Sequence, residues 1–145
     1  MRIVALLDSM WGWRGYNDAG QEAPRYFRIN RENHSGRRLY SLVGDAQLLV
    51  TNSCRFVQQS ANHHGIPDPD WVLENLKFLK SEKMDLLLVC GTVATDTFKC
   101  ALLAHERHLF PHIFMDHPAA RRWTNEKMAA VRMQIEEFRK ALVTA

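Results

Sequence analysis

The sequence predicts an α/β protein: a three-layer α/β/α sandwich with a mainly parallel central sheet, in a single domain spanning residues 1–145. Three observations carry this expectation. Apolar runs of strand length alternate with segments of helical periodicity, the order that builds parallel sheets. The run "DLLLVC", 85–90, is apolar throughout, as a strand covered on both faces must be. At 145 residues the chain is long enough to bury one real core.

The elements follow in order. "RIVALL", 2–7, reads as the first strand. A long irregular stretch runs from Asp8 to about His34, rich in Gly and in the aromatics Trp11, Trp13, Tyr16, Tyr26 and Phe27. So many aromatics argue against disorder, and loops of that length are commonly functional. "SGRRLYSLVG", 35–44, has helical spacing, with Ser35 to cap it and Gly44 to end it. "AQLLVTN", 46–52, is the second strand, and a second loop runs from Ser53 to about Asp68.

"DPDWVLENLKFLKSEK", 68–83, is an amphipathic helix, with Asp68 as N-cap and Pro69 at its first position. Residues 85–90 form the third strand, and "GTVATDTFKCALLAHER", 91–107, is a helix starting directly at its end. "HIFM", 112–115, is the fourth strand. Residues 124–143 form the last helix, with Met128, Val131, Ile135, Phe138 and Leu142 as its apolar stripe.

The totals bound the class. A hydrophobic share of 46% and a charged share of 24% are those of a soluble globular protein. No run reaches membrane-spanning length, and the apolar N-terminal run stops at Asp8, too short for a signal peptide. Three widely spaced cysteines, Cys54, Cys90 and Cys100, predict reduced thiols and a cytoplasmic protein. The net charge of +3 permits a polyanionic partner without demanding one.

In parallel sheets ligands bind beyond the carboxyl ends of the strands. Those ends here are Asp8, Asn52, Gly91 and His117. "SGRRLYSLVGDAQLLVTNSC", "DPDWVLENLKFLKSEKMDLLLVCGTVATDTF" and "HIFMDHPAARRW" resemble, in that order, three motif segments of the uracil-DNA glycosylase superfamily. These are its Ser-Gly-Arg helix with a strand ending in Thr-Asn, its Gly-x-x-Ala segment, and its His-Pro loop. "RIVALLDSMWGW" falls where the water-activating motif of that family belongs, but lacks its Gly and Pro.

The resemblance implies a DNA glycosylase that flips uracil or a modified pyrimidine out of DNA and hydrolyses its N-glycosidic bond. It implies that Asp8 stabilises the oxocarbenium-like sugar and orients water, and that His117 donates to the departing base. It implies that Asn52 reads the base edge and that Phe27, or Tyr26 beside it, stacks on the base. Arg121, Arg122 and Trp123 would enter the duplex, and Arg37 and Arg38 would face DNA together with Arg25, Arg28, Arg31 and Arg55. Each has a plain alternative: Asp8 and Asn52 as turn formers, His117 as a turn histidine, the aromatics as plugs under a loop, and the arginines as a solvated face.

The departure in the first motif leaves open a catalytically inactive relative that binds DNA, a nucleotide or a protein through the same edge. An unrelated nucleotide- or nucleoside-processing enzyme on a flavodoxin-like sheet is a further alternative. The cysteines of the family's iron–sulfur branch are missing, so no cluster and no other cofactor is expected. For zinc, the adjacent His63 and His64 would diverge, and His105 and His108, expected on one helix face, lack a third ligand. No P-loop or Rossmann fingerprint is present. A monomer is expected.

Overall fold

A computed structural model describes residues 1–9, 20–58 and 65–144. Trp11, Trp13, Tyr16, His63 and His64 lie outside the described residues. The strands are β1 (Arg2–Leu7), β2 (Gln47–Asn52), β3 (Leu86–Cys90) and β4 (His112–Met115). The helices are α1 (His34–Val43), α2 (Pro69–Ser81), α3 (Gly91–Ala101) and α4 (Asn125–Thr144). The four strands form one all-parallel sheet in the order β2-β1-β3-β4. The architecture is thus the expected three-layer α/β/α sandwich.

Alternation along each strand sorts the core into two layers. Ile3, Ala5 and Leu7 of β1 point to one face with Leu48, Val50, Leu88 and Cys90, where α1 supplies Leu39, Leu42 and Val43, and α4 supplies Val131 and Ile135. Val4 and Leu6 point to the other face with Leu49, Leu87 and Val89, where α2 supplies Trp71, Leu76 and Leu79, and α3 supplies Ala94 and Phe98. Each buried Val, Leu, Ile or Phe among them, taken from water, contributes about 1.5–3 kcal/mol. The connection from β1 goes to one side of the sheet and that from β3 to the other, which places the topological switch between them.

The second half of the long first loop closes the outer edge of β2. Phe27 and Val50 exchange two backbone hydrogen bonds of 2.9 and 2.8 Å, and Ala23 N donates to Arg55 O at 2.7 Å. An open sheet edge invites unwanted pairing, and this segment covers it.

Local structure departs from the sequence reading at three points. The N-cap of α1 is Asn33 rather than Ser35: its side-chain oxygen accepts from Ser35 N at 2.9 Å and Gly36 N at 3.3 Å. A Cβ on Gly36 would strike the Asn30 carbonyl, so the approach to the helix requires glycine there. Helix α3 stops at Ala101 rather than 107. Leu102 turns extended to bury its side chain, and the Arg107 guanidinium takes up the carbonyls of Leu102 and Lys99. His105 and His108 therefore do not share a face of this helix. On α4 the stripe holds at Val131 and Ile135, while Leu142 is exposed.

The corrected cap gives a direct test by denaturant unfolding. Asn33→Ala should cost about 1 kcal/mol at unchanged m-value. Ser35→Ala should stay within about 0.5 kcal/mol. The reverse order would show that Ser35 caps the helix.

Candidate functional site

Parallel pairing brings the four strand ends to one rim. Asn52 is in register with Leu7, just before Asp8, and β3 and β4 end beside them in Gly91 and, two residues past Met115, His117. The turn after β2 laces this rim together. Ser53 Oγ donates to Leu7 O at 2.6 Å, and Ser53 N and Cys54 N donate to Asp8 O at 2.9 and 3.1 Å. Cys54 Sγ lies 4.0 Å from Asp8 Oδ1. Burial, with the Asp8 carboxylate adding to it, pushes the Cys54 thiol up to about 11, so it stays protonated beside that carboxylate.

The His-Pro loop is braced from outside. Arg38 on α1 donates from Nη1 to Pro118 O at 2.7 Å and to Ala120 O at 2.8 Å. Trp123 Nε1 donates to His117 O at 2.6 Å, and its indole packs on the core layer shared by α1 and α4. Gly91 has φ +89°, and a Cβ there would lie 3.0 Å from His117 Cβ. Glycine is therefore required twice over, for its backbone conformation and for the closeness of the two chains.

These contacts define the state of His117. Ala119 N donates to Nδ1 at 3.0 Å, so the ring proton of the neutral imidazole sits on Nε2. Burial holds the His117 pKa below its ordinary value, while the Asp8 carboxylate pulls it the other way. At neutral pH the residue is an uncharged imidazole with a fixed Nε2–H donor. A cleft of about 490 Å³ opens beside it, lined among others by Gly91, Thr92, Thr95, Phe114, Asp116 and His117.

The other candidates fall in different surroundings. Asn52 is 2% exposed, and its Nδ2 has no partner among the described residues. A buried amide donor left open is an expensive arrangement that a ligand can relieve. Neither Asp8 nor Asn52 lines the cleft. Phe27 packs on the same core layer to which Val50 points, whereas Tyr26 stacks on Phe78 of α2, at 6.0 Å between centroids.

The arginines divide as well. Arg37, Arg121 and Arg122 are exposed, while Arg38 and Trp123 are half-buried in the braces just described. Arg31 lies over Tyr40, Arg25 over Phe78, and Arg55 pairs with Glu22 at 3.4 Å. Phe114, Thr92 and Thr95 were not singled out from the sequence. Their signal is weak, because a phenylalanine in a strand declares itself exposed only once the strand order is known. Among the described residues no group of three or more His, Cys, Asp or Glu is placed to hold a metal ion, and no helix is long and apolar enough to cross a membrane.

The fold and rim define the class: an all-parallel α/β/α protein with a histidine donor and a buried amide at the carboxyl ends of its strands. No family model matches the chain, and no curated protein matches it.

Nuclear magnetic resonance of the imidazole nitrogens checks this geometry. His117 should titrate below about 6.5, the ordinary histidine value, with its proton on Nε2. Asp8→Asn should lower its pKa further, since the carboxylate is the opposing influence. A rise in Asp8→Asn would separate the two residues. As pH falls through the ordinary value, the unfolded chain binds the proton first, so this site should cost stability toward acid. Gly91→Ala should destabilise by about 1–3 kcal/mol in thermal or denaturant unfolding and displace the His117 resonances.

Proposed function

We propose that this chain is a DNA glycosylase that hydrolyses the N-glycosidic bond of uracil or a modified pyrimidine flipped out of DNA. The observation that carries the reading is the neutral His117 with Nδ1 occupied and Nε2–H fixed at the strand-end rim. Breaking the bond between C1′ and the base nitrogen leaves the electron pair on the base, and a preset donor to a base carbonyl stabilises that charge. An uncharged imidazole keeps its proton while polarising the oxygen. Asp8 would stabilise the sugar cation and take the proton of the water that attacks C1′. The open Nδ2 of Asn52 suits a base carbonyl, and its Oδ1 suits an imide N–H.

The rim also suits a polyanion. Arg121 and Arg122, which follow His117 and Pro118 in the chain, are exposed, and so is Arg37, next to the Arg38 that braces the His-Pro loop. Helices α3 and α4 begin there, at Gly91 and Asn125, with their positive dipole ends toward the strand ends. On this reading the protein is a cytoplasmic monomer that acts on DNA without a cofactor.

A second reading, a relative that binds DNA, a nucleotide or a protein without cleaving, is favoured by one observation. Asp8 and Asn52 are set back from the cleft that His117 lines.

The two readings separate on a panel of single and double strands carrying uracil or modified pyrimidines, treated with alkali to reveal abasic sites. Release of a base is expected. His117→Ala should slow it on the order of a hundredfold with DNA affinity nearly unchanged, because the donor acts on charge that exists mainly in the transition state. Asp8→Ala should slow it as well. A parent that releases no base transfers the site to the binding reading. The double variant Arg121→Ala, Arg122→Ala should bind DNA more weakly and with a shallower salt dependence. Unchanged binding at every salt concentration would remove the loop from the interface.

A further inference from the structure

We propose that the cleft beside the outer edge of β4 holds an unpaired nucleobase of a single DNA strand, with the Phe114 ring as its stacking surface and Lys99 as counter-charge for its phosphate. The proposal rests on the reading of this chain as a DNA-binding protein, and it does not depend on catalysis.

Phe114 is an unusual residue for its place. Its neighbours Ile113 and Met115 are buried, yet Phe114 is 42% exposed. The outer edge of β2 is covered by the segment around Phe27, whereas the outer edge of β4 has no pairing strand among the described residues. The ring is nevertheless held. Phe98, fully buried, meets it edge-on at 6.0 Å and 70°, and His112 at 5.0 Å and 74°. These T-shaped contacts fix the orientation of a ring that stays 42% exposed.

Lys99 Nζ stands over that ring, 5.3 Å from its centroid. The flexible ammonium occupies a place an aromatic base can take, and it can then swing to the phosphate that accompanies the base. Thr92 and Thr95 bring hydroxyls to the same cleft, each able to donate or accept toward a base edge. An aromatic platform beside a cation is the pairing by which single strands are held without sequence preference, since every base offers a π-face. Asp116 does not oppose this: its carboxylate is paired to Lys127 Nζ at 2.9 Å. The cleft also reaches His117, so a strand whose base lies here runs past the donor of the proposed site.

Fluorescence anisotropy with a labelled single-stranded thymidine oligomer, carrying no modified base, tests the platform alone. The parent should bind it. Phe114→Ala and Phe114→Leu should each weaken binding on the order of tenfold, while Phe114→Trp retains it. Lys99→Ala should make the salt dependence shallower. Phe114→Leu keeps the apolar contact and the fold but not the π-face. Parent-like binding by that variant overturns the proposal, as would a docked peptide or second copy in place of a base. Absence of binding by the parent overturns it too. Base release on the modified strands is read separately. If the parent releases a base while Phe114→Leu binds undiminished, the platform falls and the glycosylase stands. If no base is released while the Phe114 variants lose the strand, the glycosylase falls and the platform stands.

Discussion

Strands β1 and β3 lie inside the sheet, each paired on both sides, and their side chains from Ile3 to Leu6 and from Leu86 to Cys90 are sealed from water on both faces. This double burial is the constraint from which the site follows. A strand with no exposed face carries no polar side chain within its length, so polar chemistry is displaced to its ends. Parallel pairing puts all the carboxyl ends on one rim, and the order β2-β1-β3-β4 opens that rim between β1 and β3. Asp8 and Gly91 are the first residues past the two buried strands.

The rim is held by hydrogen bonds that cross between elements. Ser53 and Cys54 tie the exit of β2 to the exit of β1, and Arg38 and Trp123 tie the His-Pro loop to α1 and to the core beneath α4. An arginine that donates to two backbone carbonyls serves the loop's shape, so Arg38 is a brace. Arg37, Arg121 and Arg122 are among the exposed cations of the described residues. His117 is held by hydrogen bonds too: its carbonyl accepts from Trp123 and Ala120 and its Nδ1 accepts from Ala119, which leaves the ring's Nε2–H without a partner among the described residues.

How much of this was legible in the sequence varies with the range of the interaction. Helix α2 is legible almost to the residue, since Asp68 accepts from Trp71 N within a single turn and Pro69 needs no donor at the first position. The α1 cap was less so: Asn33 and Ser35 are both capping residues, and the packing of Gly36 against Asn30 selects between them. The C-terminus of α3 was not legible. Residues 102–107 have no local signal against helix, and the chain leaves it because Leu102 is needed in a core built by distant strands.

By itself the sequence determined the layers, the parallel sheet, and the placing of Asp8, Asn52, Gly91 and His117 at strand ends, because apolar periodicity and strand length are local properties. Only the tertiary structure decided which strand edge has no pairing strand among the described residues, and that Phe114 faces a cleft. It alone decided that Gly91 lies against His117, that Arg38 is a brace, and that His117 carries its proton on Nε2. Each of these depends on contacts between residues far apart in the chain, and composition and spacing carry no record of which partners will meet.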